Sequence, residues 1–91
     1  MIQSFRSKGL EKLWNKGDPK GVRSDLLDRV RRRLTALDAA QVLRELDLPG
    51  WRLHQLHGEP VRYALSVNGP CRITFEWEDG DALRVDLEQY H

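Results

Sequence analysis

The change of hydrophobic period near Trp51 is the feature that most constrains how this chain can fold. Before it, apolar residues recur at spacings of three and four; after it, they alternate. Val61, Tyr63, Leu65 and Val67 alternate with Arg62, Ala64 and Ser66. After Asn68-Gly69, Cys71, Ile73, Phe75 and Trp77 alternate with Arg72, Thr74 and Glu76. After Asp79-Gly80, Leu83, Val85 and Leu87 alternate with Arg84 and Asp86. A period of two belongs to a strand with one buried face. Asn-Gly and Asp-Gly accept the positive φ of tight hairpin turns. The pattern predicts a three-stranded antiparallel meander, joined at one edge by Trp51 to Leu53 or by a short N-terminal strand, Ile2 to Phe5.

The first half reads as helical. Leu10, Leu13 and Trp14 give the segment Lys8 to Lys16 one apolar face, and Gly17-Asp18-Pro19 breaks it. A second helix is predicted from Ser24, with Ser24 as N-cap and Asp25 and Asp28 in its first turns. Leu26, Leu27, Val30, Leu34 and Leu37 form its apolar stripe, leaving Arg29, Arg32 and Arg33 as a basic ridge. Asp38 is expected to cap a third helical stretch through Leu46. The class predicted is α+β, with N-terminal helices packed on one face of a small antiparallel sheet. At 91 residues the chain fits one domain, 1–91.

No apolar run approaches the roughly 18 residues of a membrane span. The opening MIQSFRSKGL also lacks the apolar stretch of a secretory signal, which points to the cytoplasm. Cys71, the single cysteine, is expected inside a strand, and no Cys/His grouping has the spacing of a metal site.

Charge is unevenly distributed. Residues 1–33 carry +6 and residues 34–91 carry −5. Such asymmetry points to a polyanion-binding surface, although a solvated helical face gives the same pattern. On the polar face of the predicted sheet stand Arg62, Arg72, Thr74 and Arg84. Arginines there either keep a wet face soluble or grip phosphates through their planar fork of donors. All three histidines, His54, His57 and His91, lie in the same half. Cleaving RNA takes a base for the 2′-hydroxyl, an acid for the departing 5′-oxygen and cations for the charged transition state. Histidines and arginines on one face would supply all three, and Tyr90 could stack on a base. Scattered surface histidines and a frayed Tyr-His tail are the plainer reading of the same residues.

Several short elements, in order along the chain, resemble the HigB-type "plasmid maintenance system killer" toxins, a branch of the RelE-like superfamily. They are Met1-Ile2-x-Ser4-Phe5 with Lys8-Gly9-Leu10, Leu53-His54-x-Leu56-x-Gly58, Ser66-Val67-Asn68, Arg72-Ile73-Thr74-Phe75, Asp79-Gly80-Asp81-Ala82 and Tyr90-His91. The resemblance implies a RelE-like fold and a ribosome-dependent endoribonuclease that cuts mRNA in the A site, without a metal or other cofactor. Carried over by position, it implies His54 and His91 as proton-transfer residues, Tyr90 as the residue that orients or stacks on substrate, and Arg72 on the phosphate. His57, Arg62 and Arg84 would bind substrate. Lys8, Lys12, Lys16, Arg29, Arg32 and Arg33 would meet ribosomal RNA. The implied partner is a helix-turn-helix antitoxin of the HigA type, with operator DNA reached only through the toxin–antitoxin complex.

Three positions depart from the pattern. Gln89 stands where many relatives have an aspartate, His57 where many have a lysine, and Cys71 where tryptophan is usual. A neutral amide at 89 can orient a histidine but cannot raise its pKa as a carboxylate does. The expectation is a weaker or more pH-dependent nuclease. The alternatives are a catalytically weak homologue that chiefly binds its antitoxin as a co-repressor, and a ParE-like gyrase poison. The Leu-His-x-Leu-x-Gly and Tyr-His elements favour the nuclease branch.

Overall fold

The structure, a computed structural model, describes residues 1–89. Helix α1, Lys8–Lys16, starts where the Ser7 hydroxyl accepts from the Leu10 amide at 3.1 Å, and it ends at Gly17 in the left-handed region. Leu10 and Leu13 are buried and Trp14 is partly covered, so the predicted face is the one that packs. The helix approaches the following loop backbone to backbone. A Cβ built on Gly9 would lie 2.5 Å from the Gly21 carbonyl oxygen.

The second helix begins later than expected. Ser24–Leu26 form a single 3-10 turn, α2 spans Leu27–Ala39, and Ser24 does not cap it. Asp25 pairs instead with Arg23 at 2.7 Å. Leu26, Val30, Leu34 and Leu37 are fully or almost fully buried against the sheet. Asp38 starts no third helix. It lies inside α2, and its carboxylate accepts the Ile2 amide at 2.9 Å, tying the chain start to the helix. The later helical stretch is reduced to a 3-10 turn, Leu43–Leu46. Glu45 caps it by reaching back to the amides of Gln41 and Val42 at 2.8 and 3.0 Å.

The sheet has strands β1 (His54–Gln55), β2 (Tyr63–Asn68), β3 (Cys71–Glu78) and β4 (Asp81–Gln89), in that order and all antiparallel. Both candidate edge segments are used. The 51–55 segment borders β2, with Ser66 N–H donating to the Trp51 carbonyl, and the N-terminal segment runs parallel to β4 through bridges at Ile2–Ala82 and Phe5–Val85. Asp79 and Gly80 both take positive φ, as a primed hairpin turn requires. The other hairpin turns one residue late: Asn68 pairs with Cys71, so Gly69-Pro70 form its tip and Val67 sits in a bulge.

A second bulge changes which residues of β4 face the core. Thr74 pairs with Asp86 but Glu76 pairs with Leu83, which leaves one extra residue on β4, where Arg84 has φ 47°. Ala82, Val85 and Leu87 thereby share the core face, and Leu83 lies on the open face opposite Glu76. Cys71, Ile73 and Phe75 complete the core from β3, with the cysteine buried as predicted. Both helices cover this one face, the α+β arrangement expected. Among the described residues no helix is long and apolar enough to cross a membrane.

Candidate active site and its basic rim

The open face of the sheet carries the reactive side chains. His54 pairs with Ala64 across β1 and β2, and Arg72 pairs with Ser66 and Glu88 across β2, β3 and β4. These registers put His54 and Arg72 on the same face, with β2 between them. His54 Nδ1 lies 2.8 Å from the Arg52 carbonyl oxygen, and His54 Nε2 lies 3.2 Å from Arg72 Nη1. A carbonyl can only accept and a guanidinium can only donate, so this geometry fits one neutral tautomer. Nδ1 carries the proton and Nε2 presents its lone pair toward Arg72. Arg52 holds its carbonyl in place with φ 49°, a left-handed backbone that arginine rarely adopts. Both His54 and Arg52 are exposed, so the pair is open to a large ligand.

Arg62 and Arg72 both border Glu88, the register partner of Arg72, whereas Arg84 stands apart from them. Arg62 is largely buried; its Nη2 donates to the Thr74 hydroxyl and lies 3.5 Å from a Glu88 carboxylate oxygen. That clamp explains why Thr74, on the open face, is fully buried. Arg84 pairs with Glu76 at 3.0 Å, and Glu76 stands four residues along β3 from Arg72, about 13 Å at strand rise. His57 is exposed in the β1–β2 loop, where with Arg6, Glu59, Pro60 and Arg62 it lines a recess of about 480 Å³. Arg6 is a cation that sequence reasoning did not single out; its signal is its place just before α1, near the Ser4-Phe5 segment that borders β4. Tyr90 and His91 lie outside the described residues.

The basic rim is split. Lys8, Lys12 and Lys16 are exposed along α1, and Arg29 and Arg32 along α2, with Arg32 paired to Asp28 at 2.9 Å. Arg33 leaves the ridge. It is only 7 % exposed, donates from Nε to the Ser66 carbonyl at 2.7 Å and from Nη1 to the Arg29 carbonyl at 3.0 Å, and stacks over Trp51. Burial, then the charges of Arg29 and Arg32, lower its pKa, though a guanidinium stays charged at any ordinary pH. The helical spacing carried this signal: position 33 is three residues after Val30 and four before Leu37, within the apolar stripe.

Two helices pack on a four-stranded antiparallel sheet whose open face carries a histidine–arginine pair and whose border carries cations, an α+β arrangement consistent with the RelE-like class. The family model described as "HigB-like toxin: RelE-like toxin of type II toxin-antitoxin system HigB" matches residues 3–91. The chain is 40 % identical over 92 residues to "Endoribonuclease HigB" of Proteus vulgaris, covering all of both chains. It is 34 % identical over 95 residues to "Toxin HigB-1" of Vibrio cholerae serotype O1 (strain ATCC 39315 / El Tor Inaba N16961), covering 99 % of this chain and 98 % of that one. The chain belongs to the HigB-like toxin family, and membership implies an antitoxin partner.

Proposed function

We propose that this chain is the mRNA endoribonuclease of a type II toxin–antitoxin pair. It acts in the cytoplasm on mRNA in the ribosomal A site, until an antitoxin with a helix-turn-helix domain of the HigA type binds it. The activity is the one named for the Proteus vulgaris relative. The observation that carries the reading onto this chain is the His54–Arg72 pair, with Nε2 of the histidine facing the guanidinium.

The two histidines implied by the resemblance take different roles in this reading, with His54 as the base. Its Nδ1–H is engaged by the Arg52 carbonyl, so Nε2 is the atom available to accept a proton. A scissile phosphate competes for the Arg72 guanidinium. When Arg72 turns its N–H groups to the phosphate oxygens, the Nε2 lone pair is released at the same moment. Nε2 then takes the proton of the 2′-hydroxyl, the 2′-oxygen attacks phosphorus, and the bond from phosphorus to the 5′-oxygen breaks. Arg72 stabilises the charge that builds on the phosphoryl oxygens. His91 is assigned the proton delivered to the 5′-oxygen, and Tyr90 the stacking or orienting contact.

The test is inducible expression in bacteria without antitoxin, with mRNA 5′ ends mapped in wild type, His54→Ala and His91→Ala. Growth arrest with new, frame-dependent ends in wild type, lost in both variants, is the expected result. Arrest without such ends would move the target to gyrase or elsewhere. A soluble, folded wild type that causes no arrest would favour the co-repressor reading.

A further inference from the structure

Among the described residues, ion pairs join Arg23 to Asp25, Arg32 to Asp28, Arg62 to Glu88 and Arg84 to Glu76. Arg6, Arg29, Arg31, Arg33, Arg44 and Arg52 form no ion pair among the described residues, and three of these, Arg29, Arg33 and Arg52, line one groove of about 510 Å³. The groove runs between α2, the segment before β1 and the β2–β3 turn. The rest of its lining, which includes Gly50, Trp51, Asn68 and Gly69, holds no acidic residue. Arg33 forms its floor. The residue is only 7 % exposed, bonds two carbonyls and stacks on Trp51, with no carboxylate partner; among the described residues its Nη2 donates to none. Arg29 and Arg52 stand exposed at the rims.

A buried cation whose partners are all neutral, two carbonyls and an indole ring, flanked by two more cations, leaves net positive charge in a partly enclosed space. Such a site favours an anion, and guanidinium forks with glycine backbone close by suit phosphate oxygens. The groove also adjoins the candidate active site covalently. Arg52 lends its side chain to the groove and its carbonyl to His54 Nδ1.

We propose that this groove is a second phosphate-binding subsite, separate from Arg72, that takes an RNA backbone phosphodiester away from the bond that is cut. The inference rests on the nuclease reading above and adds to it Arg52, the groove and a position for a further phosphate. That phosphodiester comes either from the strand being cut or from a ribosomal RNA strand beside it.

The test compares wild type with Arg29→Gln/Arg52→Gln, which keeps the backbone carbonyl used by His54. A control variant, Arg31→Gln/Lys20→Gln, makes the same charge change outside the groove. One probe is a fluorescent 2′-O-methyl hexanucleotide, which has no 2′-hydroxyl to react, read by anisotropy across a salt series. The other is co-sedimentation with ribosomes. The groove variant should bind roughly tenfold more weakly, with a salt slope smaller by about 0.7 for each phosphate released from the hexanucleotide. Loss on both probes assigns the phosphate to the cut strand, and loss on ribosomes alone assigns it to ribosomal RNA. Unchanged binding by a folded groove variant overturns the proposal, as does an equal loss from the control variant or a wild type that binds neither probe. These readouts report binding alone. A failure of the nuclease reading would show instead as missing mRNA ends with binding intact.

Discussion

The Arg33 guanidinium lies 4.6 Å from the centre of the Trp51 ring, and this contact joins α2 to the segment that enters β1. The same side chain bonds the Ser66 carbonyl on β2, so one arginine links helix, entry segment and strand. Arg33→Ala removes a charged donor and a cation stacked on indole. The expected cost is about 2–5 kcal/mol, from roughly 1.5–3 for the charge-assisted hydrogen bond and about 0.5–2 for the stack. A lowered urea midpoint with an unchanged slope would register it. A midpoint equal to wild type would show that these contacts add nothing to stability.

Gly9 supplies a prediction whose sign is opposite to the usual one. Replacing a helical glycine by alanine ordinarily stabilises by about 1 kcal/mol. At Gly9 the new Cβ would lie 2.5 Å from the backbone oxygen of Gly21, and that neighbour cannot swing aside as a side chain can. Gly9→Ala should therefore destabilise by about 1–3 kcal/mol, seen as a lower melting temperature. A rise in melting temperature would mean that the loop gives way at little cost.

Glu45 links stability to pH. Backbone amides of Gln41 and Val42, followed by the nearby charge of Arg44, hold its carboxyl below the ordinary value of 4.5. A carboxyl depressed in the folded state adds stability that is present above 4.5 and lost as the pH falls through the folded value. Glu45→Gln should remove that part of the acid limb, flattening stability below about pH 4.5. Thermal melts of both proteins between neutral and acid pH measure it. Parallel acid limbs would show that the cap contributes nothing.

The arginines of the sheet should separate by function. Arg72→Ala should abolish cleavage, because Arg72 contacts His54 Nε2. Arg84→Gly should leave cleavage near wild type. It relieves a left-handed residue while giving up a half-exposed pair with Glu76, terms of roughly 1 kcal/mol or less that oppose each other. Mapped mRNA ends and melting curves for both variants decide it. A large loss of cleavage in Arg84→Gly would bring the open face together as one site after all.

Much of the fold was legible because hydrophobic period reports local geometry. The stripe through Val30, Leu34 and Leu37, the alternation through Ile73 and Phe75, and the Asp79-Gly80 turn each follow from neighbours in sequence. What escaped depended on distant partners or on a change of parity. The charge of Arg33 suggested solvent, and only the position of Trp51 makes its burial possible. Leu83 alternates correctly with Val85 in sequence, yet the extra residue at Arg84 separates them in space. In the candidate site, His54 and Arg72 were legible through the resemblance to a toxin family. Arg52 was not, because its contribution is a carbonyl that any residue possesses, placed by an unusual φ.

The bulge at Arg84 also bears on how such a strand tolerates changes in length. Removing residue 84 would leave Leu83 opposite Glu76, bring Val85 opposite Phe75 and keep Asp86 opposite Thr74, so that inward and outward positions stay in phase. Losing Ala82 or Val85 instead would strip the core of a fully buried side chain. For the strand that borders the N-terminal segment, an insertion or deletion at position 84 is therefore the tolerable frameshift in three dimensions. Related chains that differ by one residue here should keep the same face of β4 toward the core.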